Sequence, residues 1–460
     1  MKMKLKSIEI QGLFDLFNYR IDLSQDDNLT IITGFNGYGK TTVLNIVYNL
    51  FNHRFFYFQK LVFSKLTLVF ENGYRLEIKK SADINKKNEL SNVAYRGRVI
   101  DKEQIINCKI SFYLYNEINT NIGTFEYTGS KTKGIGIGRI ERFIPFIRRI
   151  SSDEWLDERN ARILGLDELL SEFSTEIPLD ILHSLKNHGI HNNVLLDVFD
   201  SLKVYLIKEQ RLIKQYNVLP GSGDNFSFVN TIQEYAKELG DLIKNKQVQS
   251  LQINQKLDSS FPKRLLDYDT VLHNEDFVRR FEILKNKYEQ LQRFGLITNS
   301  LDVPPYDEKI ENAKVLSVYL SDSEEKAAVF DDLLNRIELF TDILNQKRFA
   351  FKSIQIDIDY GFVFTTNNGK ALALTDLSSG EQHEVVLLYE LLFRVQPGTL
   401  VLIDEPEISL HVSWQQEFIN DLIKIAKMQQ ISFIIATHSP TIINNRFDLT
   451  VDLFELSNNT

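Results

Sequence analysis

Apolar positions recur with two different periods along this chain, and the change of period divides it. Leu5, Ile8 and Ile10, then Tyr19 to Leu23, then Leu29 to Thr33, read as strands. Val43, Leu44, Ile46, Val47, Leu50 and Phe51 follow at helical spacing. Leu66, Leu68 and Phe70 alternate, and Tyr74, Leu76 and Ile78 alternate back. Asn72-Gly73 between them predicts a hairpin closed by a type I′ turn. Residues 79–100 read as an exposed polar loop, and Ile110, Phe112 and Leu114 mark more strand within 107–128.

From about residue 145 to 346 the period becomes helical. Ile232, Tyr235, Leu239 and Leu242 form one stripe. Phe277, Phe281, Leu284, Tyr288 and Leu291 form another, stopped by Gly295. A third carries Phe330, Leu333, Ile337, Phe340 and Leu344. It is expected to open at Ser321-Asp322-Ser323, with Glu324 and Glu325 in its first turn. Leu219 to Asn225 breaks the region into sub-bundles. The stripes are short and suit bundle packing or a short arm, not a long coiled coil.

Strand patterns return with Ile354, Ile356 and Ile358, then Phe362 and Phe364, a turn at Asn368-Gly369, and Leu372 and Leu374. Leu400 to Ile403 and Ile431 to Ile435 are continuous apolar runs, as in parallel strands buried on both faces. The expected fold class is therefore α/β. Residues 1–145 and 347–460 form one body, split by a mostly α-helical insertion, 146–346.

Composition narrows the classes. A chain of 460 residues with 43% hydrophobic and 25% charged residues reads as globular, with two or three domains. Its net charge of −9 argues against a protein basic overall, though not against a local basic patch. The single cysteine, Cys108, builds no disulfide framework or cysteine zinc site, so a reducing, cytoplasmic compartment is expected. No run of about 18 apolar residues predicts a membrane span, and the first ten residues lack a signal peptide's apolar core.

Chemistry concentrates in four segments. Gly34-Phe35-Asn36-Gly37-Tyr38-Gly39-Lys40-Thr41 fits G-x-x-x-x-G-K-[ST] between a predicted strand and a predicted helix. Its backbone N–H groups would cradle phosphate, with Gly34, Asn36, Gly37, Gly39, Lys40, Thr41 and Thr42 as the binding residues. Lys40 would reach the β- and γ-phosphates, and the Thr41 hydroxyl would bind Mg²⁺. Just upstream, Phe14, Phe17 and Tyr19 either stack on an adenine or fill the core of a half-buried strand.

The second segment, Leu400 to Glu405, delivers two carboxylates from a strand end. Asp404 would hold Mg²⁺, and Glu405 would polarise the attacking water as general base. The third, Leu377-Ser378-Ser379-Gly380-Glu381-Gln382, opens an apolar helix and offers a second anion site. The fourth is Ala436-Thr437-His438-Ser439-Pro440, where His438 at a strand end can hydrogen-bond a γ-phosphate. Gly134 to Gly138 lacks full dinucleotide-fingerprint spacing and reads as a flexible connection.

Together these residues resemble the ABC-type ATPase family. Leu377 to Gln382 looks like its signature motif, Leu400 to Glu405 its Walker B, and Ala436 to Pro440 its switch-histidine segment. The resemblance implies an ABC-type P-loop ATPase head, a mixed sheet plus an antiparallel β subdomain, with ATP and Mg²⁺ bound. It also implies a homodimer or higher homo-oligomer. ATP would lie between Lys40 of one chain and Ser378, Ser379, Gly380 and Glu381 of another. The long insertion and His411 are similar to the OLD, RecF and SMC branch rather than to transporters. The family's Mg²⁺-contacting glutamine has no clear counterpart, Gln104 being the candidate. Asp404 to Gln415 (DEPEISLHVSWQ) and Ile144 to Trp155 (IPFIRRISSDEW) resemble the ATPase subunit of PARIS anti-phage systems, with the Septu ATPase as a near alternative. The roughly 20 residues after His438 are too few for a Toprim domain, so a nuclease effector is expected on another polypeptide. That resemblance implies a phage-encoded trigger protein as a further partner. The alternative is an SMC- or RecF-like DNA-binding ATPase of repair.

Arg139, Arg142, Arg148 and Arg149, with Trp155 and Arg159 nearby, admit two readings. They bind DNA or an acidic protein, or they form a solvated face paired with Asp153, Glu154, Asp157 and Glu158.

Overall fold

The computed structural model describes residues 3–23, 26–82, 93–95, 98–100, 108–128, 144, 146–151, 154–158, 162–166, 169, 173, 193–207, 212–217, 226–267, 272–301, 310–346, 349 and 351–458. Parallel and antiparallel pairing occupy separate sheets rather than one mixed sheet. Five parallel strands lie in the order Val204–Ile207, Leu400–Asp404, Ser432–Ala436, Leu29–Thr33, Thr450–Asp452. The two continuous apolar runs are central in it, and Val401, Leu402, Ile403, Phe433, Ile434 and Ile435 are buried. Six antiparallel strands form a second sheet, Phe17–Asp22, Leu5–Leu13, Lys65–Phe70, Arg75–Ala82, Cys108–Tyr115 and Asn121–Tyr127 in spatial order. The helix Lys40–Phe51 lies between the sheets, with Val43, Leu44, Ile46, Val47 and Leu50 fully enclosed.

The hairpin predicted at Asn72-Gly73 forms, but with a three-residue loop instead of a type I′ turn. The Phe70 N–H donates to Tyr74 O and the Gly73 N–H to Phe70 O, and only Gly73, at φ 81°, is left-handed. Asn368-Gly369 repeats this pattern, with the Thr366 N–H on Lys370 O and Gly369 at φ 76°. A longer loop needs one left-handed residue where type I′ needs two.

The boundaries of the insertion differ from expectation. Val204–Ile207 pairs in parallel with Leu400–Asp404 as an edge of the nucleotide sheet, so the head reaches beyond residue 145. The described part of 146–230 is mostly short strands, including the three-stranded sheet Ile147–Arg149, Glu154–Asp157 and Arg162–Gly165. Helical structure dominates only from Thr231, with helices Thr231–Asp267, Asn274–Arg293, Ile310–Ala328 and Asp331–Asn345. The predicted helix start at Ser321-Asp322-Ser323 lies inside Ile310–Ala328 instead. Asp322 is buried there against the Arg264 guanidinium, so a partner on another helix takes its carboxylate and no cap is needed. The true helix start carries Asp331 and Asp332 in its first turn.

The long helix Thr231–Asp267 meets the hairpin Lys352–Asp357/Gly361–Thr366 almost backbone to backbone. A β-carbon at Gly361 would stand 1.7 Å from Ala236 O, and its φ of +77° already favours glycine. Gly361→Ala should therefore lower stability by about 2–4 kcal/mol, from overpacking and left-handed strain together. The check is the urea midpoint; an unchanged midpoint would show that the two elements separate at little cost.

Candidate active site

All five parallel strands point their carboxyl ends to one edge, and their register makes those ends level. Asp404 pairs with Ala436, Ala436 with Ile32, and Asp452 with Thr33. The phosphate loop, Asp404-Glu405, Thr437-His438 and Asp452 therefore share one rim, where α/β sheets place their ligands.

Strand Leu29–Thr33 turns sharply at Gly34, and helix Lys40–Phe51 starts without a side-chain cap. Its first N–H groups are left to the loop, as an anion requires. Gly39 is needed on two counts: φ is +87°, and a β-carbon would meet Leu13 Cδ2 at 3.0 Å and Phe14 Cε2 at 3.4 Å. Lys40 is buried and donates from Nζ to the carbonyls of Gly34 (2.9 Å) and Phe35 (3.3 Å). Burial pushes its pKa down, against the upward pull of Glu405, Asp404, Glu407 and Asp452.

The Thr41 hydroxyl donates to Asp404 Oδ1 at 3.2 Å. Sequence positions 363 apart thus converge as two hard oxygen donors, which suits Mg²⁺ completed by phosphate oxygens and water. No group of three or more His, Cys, Asp or Glu able to hold a metal occurs among the described residues, and such a Mg²⁺ site needs none. Glu405 has φ 43°, a left-handed backbone that costs a non-glycine residue on the order of 1 kcal/mol. Its N–H donates to Ala436 O at 2.9 Å, and its Oε1 lies 3.5 Å from His438 Nε2. Strain of this kind concentrates at functional sites.

Ser378 caps the helix Ser379–Tyr389 through a reciprocal capping box with Glu381. Glu381 Oε2 accepts from the Ser378 N–H (2.8 Å) and hydroxyl (3.0 Å), and Lys352 Nζ donates to both carboxylate oxygens (2.9 and 2.8 Å). Glu381 is therefore a builder of the loop, since a carboxylate held this way has little to offer a phosphate. Gln382 Nε2 donates to Leu377 O at 2.7 Å.

Of the three candidate aromatics, Tyr19 is buried and donates its hydroxyl to Tyr38 O at 2.9 Å, and Phe17 stacks on it. Only Phe14 is exposed, and it lies against Gly39. Gln104, Gly134 to Gly138, Arg139, Arg142, Asp153 and Arg159 lie outside the described residues. Arg148 pairs with Glu158 at 2.8 Å, and Arg149 lies 5.7 Å from the ring centre of a fully buried Trp155. That fits the paired-face reading for Arg148 and makes Trp155 a core residue. Sequence reasoning missed Lys352, Glu407 and Asp452. Lys352 and Asp452 carry no motif; Glu407 stands inside one but received no role.

A family model described as an AAA ATPase domain matches residues 3–443. The chain belongs to the AAA ATPase domain family. This AAA-domain chain is an ATPase with an α/β P-loop fold. It is 21% identical to the "Retron Vc95 probable ATPase" of Vibrio cholerae serotype O1 biovar El Tor, over 96% of this chain and 71% of that one. It is 23% identical to the "Retron Ec83 probable ATPase" of Escherichia coli, over 96% and 69%. Among solved structures, an Smc head domain with an extended coiled coil bound to the C-terminal domain of ScpA, from Pyrococcus furiosus, is 13% identical (TM-score 0.33, 96% of this chain and 92% of that one). The SMC head domain from Thermotoga maritima is 12% identical (TM-score 0.30, 96% and 91%). No helix among the described residues is long and apolar enough to cross a membrane.

The Lys352–Glu381 pair gives the 377–382 loop a pH dependence. Burial raises the Glu381 pKa, but the bonds from Lys352 and Ser378 outweigh it and hold the group below its ordinary 4.5. Its contribution to stability is present above that value and is lost as pH falls through the lowered folded pKa. Glu381→Gln should lower the urea midpoint at about pH 7 and flatten its decline below about pH 4.5. Parallel acid limbs for variant and wild type would remove this role.

Proposed function

We propose that this ATPase is the ATP-driven sensor and scaffold of an anti-phage defence system, closing in head-to-tail pairs around ATP and controlling a separate effector. The observation that carries the ATP-sandwich part is the division of the site. Lys40, Thr41, Asp404, Glu405 and His438 gather on one rim, while the signature loop bonds within its own half, to Lys352, Thr375 and Leu377. A second copy's Ser378, Ser379 and Gly380 supply the missing side. The likeness to two retron probable ATPases supports a defence-related setting. PARIS-like systems, with Septu as the near alternative, give the finer reading: a Toprim nuclease effector held by the ATPase and released on a phage-encoded trigger protein.

Within one turnover, Lys40 exchanges its carbonyl partners for β- and γ-phosphate oxygens. Gly34, Asn36, Gly37, Gly39 and Thr42 enclose the phosphates with N–H donors. Thr41 and Asp404 would hold Mg²⁺, whose charge would offset that developing on the phosphate. Glu405 accepts the proton of the attacking water, and His438 hydrogen-bonds the γ-phosphate. Hydrolysis removes the group both copies grip, and the pair opens.

Two experiments test this. Glu405→Gln should trap ATP-bound dimers, seen by size-exclusion chromatography, with turnover reduced by on the order of 10³-fold or more; normal turnover removes Glu405 as the base. Lys40→Ala chains and Ser378→Arg chains should each be inactive alone. Mixed, they should regain ATPase activity from the one composite site that pairs an intact half of each. No recovery on mixing rules out the trans arrangement. ATP-dependent DNA binding that falls steeply with salt, with no co-purifying effector, favours the repair-type ATPase instead.

A further inference from the structure

Beside Glu405 stands a second carboxylate that the hydrolytic scheme leaves unused. Glu407 lies in the short 3₁₀ turn Pro406–Ser409, and its side chain is 12% exposed. Its Oε1 accepts from the Thr437 hydroxyl at 2.8 Å and from the His438 N–H at 3.1 Å, and lies 3.9 Å from His438 Nε2. One carboxylate oxygen thus meets the histidine segment at three atoms. The other, Oε2, is buried with no hydrogen-bond partner among the described residues. Burying a half-satisfied carboxylate is unfavourable, so the position is not explained by stability.

The same stretch of chain holds the other flank of His438. Gln415 Nε2 donates to the carbonyls of Glu407 (3.2 Å) and Leu410 (3.1 Å), and its Oε1 accepts from the Ser439 hydroxyl at 3.0 Å. The Ser439 N–H in turn donates to Thr437 Oγ1 at 3.0 Å. His438 is therefore suspended between two residues that are both tied to 407–415. Its own imidazole is partly exposed, and at Nε2 the facing carboxylates are Glu405 and Glu407.

We propose that Glu407 is the positioning residue of His438: it fixes the backbone of the histidine, and through it the imidazole, where a γ-phosphate oxygen is to be met. This rests on the assignment of His438 as a γ-phosphate contact. The role needs an acceptor oxygen at Oε1, not the negative charge. A misplacement of about 1 Å at such a contact costs on the order of 10²-fold in rate. Nucleotide binding rests on the phosphate loop, so kcat moves and KM stays.

The test is steady-state ATP hydrolysis by the full chain, with melting temperature as a folding control. Glu407→Ala should lower kcat by on the order of 10- to 100-fold at nearly constant KM. Glu407→Gln, which keeps the acceptor oxygen, should retain most of the rate. Thr437→Val, which removes only the hydroxyl, should give an intermediate loss and serves if Glu407→Ala fails to fold. In a His438→Ala background neither Glu407→Ala nor Thr437→Val should cost anything further, because the residue they position is gone. An additive loss there means that Glu407 acts on its own and overturns the proposal. A Glu407→Gln enzyme as slow as Glu407→Ala overturns it too, since the charge is then what matters. Unchanged kcat in His438→Ala alone refutes the γ-phosphate assignment, and the proposal with it.

Discussion

The level register of five parallel strands is the constraint on which the site depends. Parallel pairing points all five strands the same way, and their register ends them on one edge. Asp404, Ala436, Ile32 and, through Thr33, Asp452 then fall in one row. A slip of one residue would turn each side chain to the other face and carry Asp404 away from Thr41. The apolar runs Leu400 to Ile403 and Ile431 to Ile435 are buried on both faces, so a slip changes little of what they bury; the neighbouring motifs pin them instead. Glu405 N–H on Ala436 O and Thr437 N–H on Ile32 O lock adjacent strand ends just where the chemistry begins.

Charge at that rim is arranged to wait for a ligand. Lys40 is buried, is bonded to two carbonyls and has four carboxylates nearby. Carbonyls are weaker partners for an ammonium than phosphate oxygens, which carry charge of the opposite sign. The lysine is thus preorganised without being satisfied, so its reorganisation on binding is small. Glu405 and Glu407 both approach one imidazole nitrogen, at 3.5 and 3.9 Å. Glu407 additionally accepts from the Thr437 hydroxyl and the His438 N–H.

Much of this was legible in the sequence because the chemistry sits in contiguous motifs with strand–loop–helix context. The phosphate loop, Asp404-Glu405 and His438 fell on the predicted strand ends, since continuous apolar runs identify buried parallel strands without reference to anything distant. What was not legible depends on partners remote in sequence. Asp322 looks like a helix start until Arg264 is found beside it. Val204–Ile207 is short and half-buried and has no local sign of belonging to the nucleotide sheet. Glu381 reads as a ligand until Lys352 is found on it, and Lys352 lies in a strand with no motif. Turn length also escaped, because Asn-Gly serves type I′ turns and three-residue loops alike.

The signature loop is joined to the helical region without slack. Its helix runs on into a π-helical turn, Glu390–Arg394, which displaces side chains from α-helical positions. Tyr235 of the long helix donates its hydroxyl to Glu390 at 2.5 Å and accepts from Arg394 at 2.9 Å, and its ring stacks on Tyr389 at 4.7 Å. Arg394 also lies 3.8 Å from Glu238 one turn along. Separating these elements would strand a buried carboxylate and a phenol, a cost well above that of sliding an apolar contact. On an adjoining face of the same helix, Ala236 and Gly240 press against Gly361 with no room for a β-carbon. The 377–382 loop and the helical region are therefore mechanically coupled at this junction.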